Sequence, residues 1–126
     1  PMLLVDEIVE MEAGAWAHGR MHLQGDEFFF QGHFPGKPVL PGVIMVEALA
    51  QTGAVAILSL PEFIGKVGYF AGIDKVRFRK KVFPGDVVDL KVEIIKRRGP
   101  IGYGKAEAFV DGELAVAGQL TFAIGE

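Results

Sequence analysis

Glu47 is the only charged residue in a long apolar run, residues 43–60, whose sequence is VIMVEALAQTGAVAILSL. Gln51 follows four positions later, so the two side chains lie on the same face of a helix. A carboxyl group in so apolar a segment has to find hydrogen-bond partners or stay protonated, because burial disfavours its charged form. The helix alone leaves two interpretations open: a structural glutamate satisfied by its neighbours, or a group that exchanges protons with a substrate.

A second candidate for chemistry, His33, lies in the segment GHFPG at residues 32–36. Proline restricts the backbone and glycine relaxes it, so such a loop can hold an imidazole rigidly at the mouth of a pocket. Imidazole is also the side chain that exchanges protons nearest to neutral pH. Taken alone, however, such a residue is more often an ordinary hydrogen-bonded histidine, and its place in a loop is only a weak indication of function.

The third candidate is the backbone at Gly42, where the apolar run begins directly after Pro41. The first N–H groups of a helix have no partner within it and carry partial positive charge. Glycine lets a ligand approach the backbone closely. An oxygen that develops negative charge could be stabilised there, as in an oxyanion hole. Every helix has such an end, so Gly42 indicates a site only together with His33 and Glu47.

These residues need elements to position them, and the first is a helix over 43–60, started by Pro41-Gly42 and stopped by Pro61. The run is apolar on every side, whereas a surface helix shows one apolar stripe. A membrane span is the alternative for such a run. The polar residues Glu47, Gln51 and Thr52 near its middle argue against that alternative.

Segments with strand patterns precede and follow the predicted helix in the sequence. Residues 3–11 and 15–23 read as two strands, the Gly- and Pro-rich segment 25–42 as an ordered loop, and residues from 66 onward as further strands. In 88–94 apolar and polar residues alternate, and 101–110 and 113–124 are joined at Asp111-Gly112, a hairpin signal. Pro84-Gly85-Asp86 indicates another turn. The sequence therefore predicts an α+β fold in which an antiparallel sheet wraps around one long central apolar helix.

The composition of the chain limits the kinds of protein that it can be. Its 126 residues fit one compact domain, 1–126, and with 50% hydrophobic residues it has enough apolar material to suggest an oligomer. A net charge of −3 argues against nucleic acid as the main partner. The chain has no cysteine, which excludes disulfides and thiolate chemistry. We see no basic leader followed by a short apolar run, and we expect a cytoplasmic protein.

The motifs HFPGKPVLPG at 33–42 and EALAQ at 47–51 strongly resemble the β-hydroxyacyl-acyl carrier protein dehydratases of bacterial fatty-acid synthesis, the FabZ type with a hot-dog fold. The resemblance covers nearly the whole chain. It continues through PMLLVDEI at 1–8, FFFQGHFPG at 28–36, GIDKVRFRKKVFPGD at 72–86 and KAEAFVDGELA at 105–115.

The resemblance implies specific roles. His33 and Glu47 are then the catalytic pair, meeting across a homodimer interface, and dimers are expected to form a trimer of dimers. Gly42 provides the oxyanion contact, and Gln51 steadies Glu47 or a water. A sister family that also isomerises the product has aspartate in place of Glu47, so glutamate favours the plain dehydratase.

The reaction fits these residue types. Elimination of water from a (3R)-hydroxyacyl thioester removes a weakly acidic α-proton and protonates a poor leaving group. A neutral imidazole suits the base and a protonated carboxyl suits the acid. In an alternative assignment of these roles, His33 shuttles the proton to the hydroxyl and Glu47 only orients a water. No metal or organic cofactor is required.

Basic residues are concentrated at 75–81, and on a regular strand Lys75, Arg77, Arg79 and Lys81 would all point the same way. Such a run is usually a solvated face. In a chain of net negative charge we favour a docking site for the acidic acyl carrier protein and its phosphopantetheine phosphate, formed by Arg77, Arg79, Lys80 and Lys81.

Aromatic residues and histidines complete the candidates. By resemblance Phe34, Tyr69 and Phe70 line the acyl tunnel, although aromatic side chains are more often plain core. His18 and His22 share one face of a strand, but no carboxylate or cysteine accompanies them at ligand spacing, so we expect no metal site.

Two other functions share the expected fold. One is a hot-dog acyl thioesterase, which would need an activated water and has no evident use for the HFPG loop followed by Glu47. The other is a non-enzymatic acyl-binding module, which would keep the tunnel and could dispense with both His33 and Glu47. Function resides in the site rather than the fold, so the paired residues favour the dehydratase.

Overall fold

The computed structural model describes residues 3–24, 40 and 42–125, and for Tyr69 and Phe70 it describes the backbone alone. The helix α1 spans Gly42–Leu58 and is followed by a single 3₁₀ turn at Pro61–Phe63. The strands are β1 Glu7–Glu12, β2 Trp16–His22, β3 Val67–Phe78, β4 Val87–Arg98, β5 Ile101–Val110 and β6 Glu113–Gly125. The predicted loop over 25–42 falls almost wholly outside the described residues.

The described strands form one antiparallel sheet in the order β1-β2-β4-β5-β6-β3. Chain neighbours β4, β5 and β6 pair through short hairpins, whereas β3 lies at the edge beside β6 and the chain then returns to place β4 beside β2. The sheet therefore has two outer strands among the described residues, β1 and β3. Each presents one edge that no described strand covers.

The apolar face of the sheet encloses α1. Val88, Leu90 and Val92 of β4 are each no more than 1% exposed, as the alternation in 88–94 predicts. They pack with Leu49 and Ile57 of the helix in one hydrophobic cluster. The expected sheet around a central apolar helix is therefore confirmed, and it is the hot-dog arrangement.

The helix packs closely against the sheet at Gly53. A Cβ atom built there would collide with the ring of Phe122 on β6 and would lie 3.0 Å from a methyl carbon of Val92. Because Phe122 is only 2% exposed, its ring cannot move aside into solvent. Glycine at this position lets a bulky aromatic ring fit between helix and sheet.

The turns follow their sequence signals. Asp111 and Gly112 both have positive φ, 52° and 77°, as a two-residue turn between twisted strands requires. Gly85 has φ 92° in the predicted Pro84-Gly85-Asp86 turn. The first strand is shorter than predicted: residues 3–6 precede β1, and the N–H of Leu4 donates to a side chain of the helix instead of to a strand.

No helix in the described part of the chain is long and apolar enough to cross a membrane. Among the polar residues within α1, Glu47 and Gln51 are half-buried. Thr52 is fully buried and donates its hydroxyl hydrogen to the carbonyl of Ala48, 3.0 Å away.

Candidate active site

The carboxyl group of Glu47 lies in the second turn of α1 and is half-buried. The Nε2 group of Gln51, one turn later, donates to Glu47 Oε1 across 3.4 Å. The backbone N–H of Leu4 donates to Gln51 Oε1 across 2.9 Å. Glu47 thus sits at the end of a short hydrogen-bonded series that begins in the N-terminal segment of the chain.

Gly42 is the first residue of α1, as expected for a backbone donor at the start of the helix. The ring of Phe78, at the end of β3, covers it so closely that a Cβ atom at Gly42 would lie 2.6 Å from the ring. Gly42 and Phe78 open onto a groove of about 360 Å³ whose other lining residues are Leu40, Val43, Met45, Lys80, Lys81 and Val82. The helix start therefore faces a mostly apolar groove with lysines at its border.

The predicted alternation of basic residues over 75–81 is wrong. Strand β3 ends at Phe78, and its pairing with β6 shifts between Asp74 and Arg77, where Lys75 has φ 53°. A bulge inserts an extra residue, which interrupts the alternation of side chains between the two faces. Beyond the strand, the N–H groups of Arg79 and Lys80 both point to the carbonyl of Ala115.

The basic residues are nevertheless close together at this end of β3. Lys80 forms an ion pair with Glu113 at 3.1 Å. Arg77, Arg79 and Lys81 are exposed, and no ion pair joins them to another described residue. The cluster thus keeps positive charge beside the groove at Gly42.

Comparison with known proteins identifies the family. The FabA-like domain matches residues 1–119. A 3-hydroxyacyl-[acyl-carrier-protein] dehydratase FabZ of Moorella thermoacetica is 57% identical over 126 residues, which is all of this chain and 88% of the relative. The chain belongs to the FabZ-type dehydratase family.

Solved structures agree with the fold of this FabZ-type chain. The dehydratase heterocomplex ApeI:P from Xenorhabdus doucetiae superposes with a TM-score of 0.79 at 20% identity, covering 100% of this chain and 85% of the other. A Thermus thermophilus hypothetical protein described as a thioesterase superfamily member reaches 0.72 at 23% identity, covering 93% and 85%. Because proteins described in such different terms both superpose on this chain, the fold alone does not decide the activity.

Several predicted residues of the site cannot be compared with the structure. His33 and Phe34 lie outside the described residues. Tyr69 and Phe70 are on β3, where their backbones pair with Ala123 and Phe122 of β6. The assignment of Phe34, Tyr69 and Phe70 to an acyl tunnel therefore stays a prediction, and so does the pairing of His33 with Glu47.

The histidines of β2 have carboxylate neighbours on the adjacent strands. His18 Nε2 lies 2.8 Å from Asp89 Oδ1, and His22 Nε2 lies 3.3 Å from Glu7 Oε1. These carboxylates come from the adjacent strands β4 and β1, so spacing along β2 could not reveal them. Within the described ranges no three His, Asp or Glu side chains are grouped so that they could hold a metal ion.

Asp89 is the one described group whose ionisation is clearly perturbed. Burial acts to raise the pKa of this carboxyl, but hydrogen bonds with His18 and Arg20, and the electrostatic attraction of these side chains, outweigh burial and lower the pKa below its usual value. Arg20 Nε lies 2.9 Å from Asp89 Oδ1. The cluster joins β2 to β4 on the outer face of the sheet.

The contact of Leu4 with the site could not be predicted from the sequence. Leu4 and Gln51 are 47 positions apart, and nothing in the apolar pattern of residues 3–5 distinguishes a strand from an anchor. The only sequence signal is that the resemblance includes PMLLVDEI at 1–8.

Proposed function

We propose that this chain is a (3R)-hydroxyacyl-[acyl-carrier-protein] dehydratase that eliminates water to give a trans-2-enoyl thioester in fatty-acid biosynthesis. The observation that carries the proposal is the 57% identity over the full chain to a relative named for this activity. The half-buried carboxyl of Glu47, beside the donor Gln51, supplies an acid/base group of the kind that the reaction requires.

In the proposed reaction, a nitrogen of His33 takes the α-proton of the substrate. The electron pair of the broken C–H bond forms the new C=C bond as the C–O bond at the β-carbon breaks. Glu47 gives its proton to the departing hydroxyl, which leaves as water. The charge that develops on the thioester oxygen is stabilised by the N–H of Gly42, at the positive end of α1.

The arrangement we propose is a homodimer in which His33 of one protomer faces Glu47 of the partner subunit. Apolar surface near the site supports it: Val43 on α1 is 75% exposed, and Phe78 and Ile73 on β3 are 58% and 44% exposed. Exposed apolar side chains, two of them on the edge strand β3, favour association. We extend the proposal to a trimer of dimers, and to the cytoplasm as the location.

The acyl carrier protein is the proposed partner, and Arg77, Arg79, Lys80 and Lys81 are its proposed docking site. Carrier proteins are acidic, and Lys80 and Lys81 line the groove at Gly42, with Arg77 and Arg79 close by in the chain. Charge reversal of Arg77 and Arg79 to Glu should raise KM for a carrier-bound substrate about tenfold or more, and should leave KM for a small thioester analogue nearly unchanged. Equal effects on both substrates would contradict docking at these residues.

The central experiment follows absorbance of the conjugated enoyl thioester formed from a 3-hydroxyacyl-carrier substrate. Glu47→Gln removes the acid and should lower kcat about 100-fold or more. Glu12→Gln makes the same chemical change at an exposed position on β1 and serves as the matched control. Near-normal turnover by Glu47→Gln would exclude Glu47 as the acid, and would favour the division in which His33 shuttles the proton.

The same reaction mixture separates a dehydratase from a thioesterase. A thioesterase releases the free thiol of the carrier, which a thiol reagent detects, whereas dehydration leaves the thioester intact. We expect an enoyl thioester and no free thiol. Thiol release without enoyl product would refute the proposed function.

A further inference from the structure

The hydrogen bond from Leu4 to Gln51 decides how the amide of Gln51 is oriented. A backbone N–H can only donate, so the amide atom that it meets at 2.9 Å must be the carbonyl oxygen, Oε1. The donor itself is held firmly, because the side chain of Leu4 is only 7% exposed and belongs to the hydrophobic core. The NH₂ group of Gln51 is therefore directed to the opposite side, towards Glu47.

The orientation of Gln51 in turn distinguishes the two oxygens of Glu47. An amide NH₂ group has only hydrogens to offer, so Glu47 Oε1, 3.4 Å away, must accept. When the carboxyl is protonated, its carbonyl oxygen is the better acceptor and its hydroxyl oxygen is the donor. The contact is long for an N–H···O bond, as is common at catalytic sites before substrate binds.

We propose that the backbone N–H of Leu4 and the amide of Gln51 are positioning groups that place the acidic proton of Glu47 on Oε2. Oε1 is engaged as an acceptor, and Oε2 is the oxygen from which the proton passes to the leaving hydroxyl. The inference rests on the proposed function, in which Glu47 is the acid. It adds that the backbone N–H of Leu4 contributes to catalysis through Gln51, without touching the substrate.

Gln51→Glu tests the inference with almost no change in shape. The new carboxylate at position 51 still accepts a hydrogen bond from the N–H of Leu4. Its other oxygen, however, replaces the NH₂ group that donated to Glu47 Oε1, and a carboxylate oxygen has no hydrogen of its own to donate. Two facing carboxyl groups share one proton and retain it to higher pH. We expect kcat to fall at least tenfold, KM to change less than twofold, and the basic limb of the kcat–pH profile to move to higher pH.

Gln119→Glu is the matched control, since it makes the same substitution at an exposed position on β6. It should leave both kcat and the pH profile as they are in the parent enzyme. A Gln51 that serves only packing would tolerate the isosteric glutamate with kcat at the pH optimum as in the parent enzyme. That result would overturn the inference.

The donor is tested by replacing Leu4 with its α-hydroxy analogue, which substitutes an ester oxygen for the N–H and keeps the side chain. The same replacement at Leu3, which is 84% exposed, is the control. We expect kcat to fall about two- to tenfold at Leu4, the ratio that one neutral hydrogen bond supports. KM and the far-ultraviolet circular dichroism should stay as in the parent.

The outcomes separate this inference from the proposed function. An inactive parent enzyme refutes the proposed function and the inference with it. An active parent whose kcat is insensitive to the ester at Leu4 refutes the inference alone. So does an ester at Leu3 that lowers kcat as much as the ester at Leu4, because the effect would then belong to the segment and not to this N–H.

Discussion

Gly53→Ala sets two physical effects against each other. Alanine is favoured over glycine within a helix by about 1 kcal/mol, so helix propensity alone predicts a more stable protein. The new methyl group, however, would collide with the ring of Phe122 and crowd Val92 at 3.0 Å. Because these side chains are only 2% and 1% exposed, neither can move into solvent. The helix must therefore lift from the sheet.

We expect Gly53→Ala to lower the free energy of unfolding, because the cost of overpacking exceeds the gain in helix propensity. Overpacking of a filled core costs about 1–3 kcal/mol, and the rigid ring places this site towards the upper end. After subtraction of the propensity gain, unfolding in urea should show a loss of about 1–2 kcal/mol, or roughly 4–8 °C in Tm for a chain of this size. A lifted helix also stretches the bond from Leu4 to Gln51, so kcat should fall at temperatures where the variant is folded.

Phe122→Leu gives this prediction its control, because it removes the ring atoms that the new methyl group would meet. In that background Gly53→Ala should cost close to nothing, with a coupling free energy of about 1–2 kcal/mol between the two positions. If Gly53→Ala stabilises the parent, or costs the same in both backgrounds, the argument from packing is refuted.

The remaining predictions concern Asp89 and the bulge in β3. The pKa of Asp89 is lowered in the fold, so its contribution to stability is present above the unfolded-state pKa, about 4, and is lost as pH falls through the lower folded-state pKa. Asp89→Asn should therefore be less stable than the parent at pH 7 by urea unfolding, with the difference shrinking below about pH 4. Lys75, at φ 53°, has a conformation that costs an L-residue about 1–2 kcal/mol, so Lys75→Gly should stabilise the fold by about 0.5–1 kcal/mol.

Each of these predictions has an internal control. Asp111→Asn makes the same substitution in an exposed hairpin at φ 52°, where asparagine is tolerated, and should unfold in urea at pH 7 much as the parent does. A constant difference between Asp89→Asn and the parent from pH 7 to pH 3 would show that the ion pairs of Asp89 do not contribute as argued. Arg77→Gly lies just past the bulge and should destabilise β3. Equal effects of glycine at 75 and 77 would contradict strain at Lys75.

Elements with local signals could be predicted from the sequence closely. The helix expected at 43–60 is found at Gly42–Leu58, since glycine and proline mark its two ends. The strands expected at 101–110 and 113–124 are found at Ile101–Val110 and Glu113–Gly125, because the turn between them needs two residues with positive φ. Such signals act within a few residues, so they are legible without knowledge of the tertiary structure.

Features that depend on contacts between distant segments could not be read in this way. The alternation over 75–81 assumed a regular strand, but Gly118 of β6 leaves room for Val76, whose methyl carbon lies 2.9 Å from where a Cβ atom of Gly118 would be. The register shifts at the same place, between Asp74 and Arg77. The reason for the error thus lies partly on another strand, some 40 positions further along the chain.

The site itself combines both kinds of information. Glu47 could be identified because a single carboxyl in an apolar helix has to be compensated, and that cost is visible in the sequence. Its compensation is not visible, because the orientation of Gln51 is set by a backbone N–H that belongs to no motif of polar residues. A substitution at Leu4 that preserves apolar character would consequently look neutral by sequence, and its effect on kcat would depend on whether the N–H keeps its position.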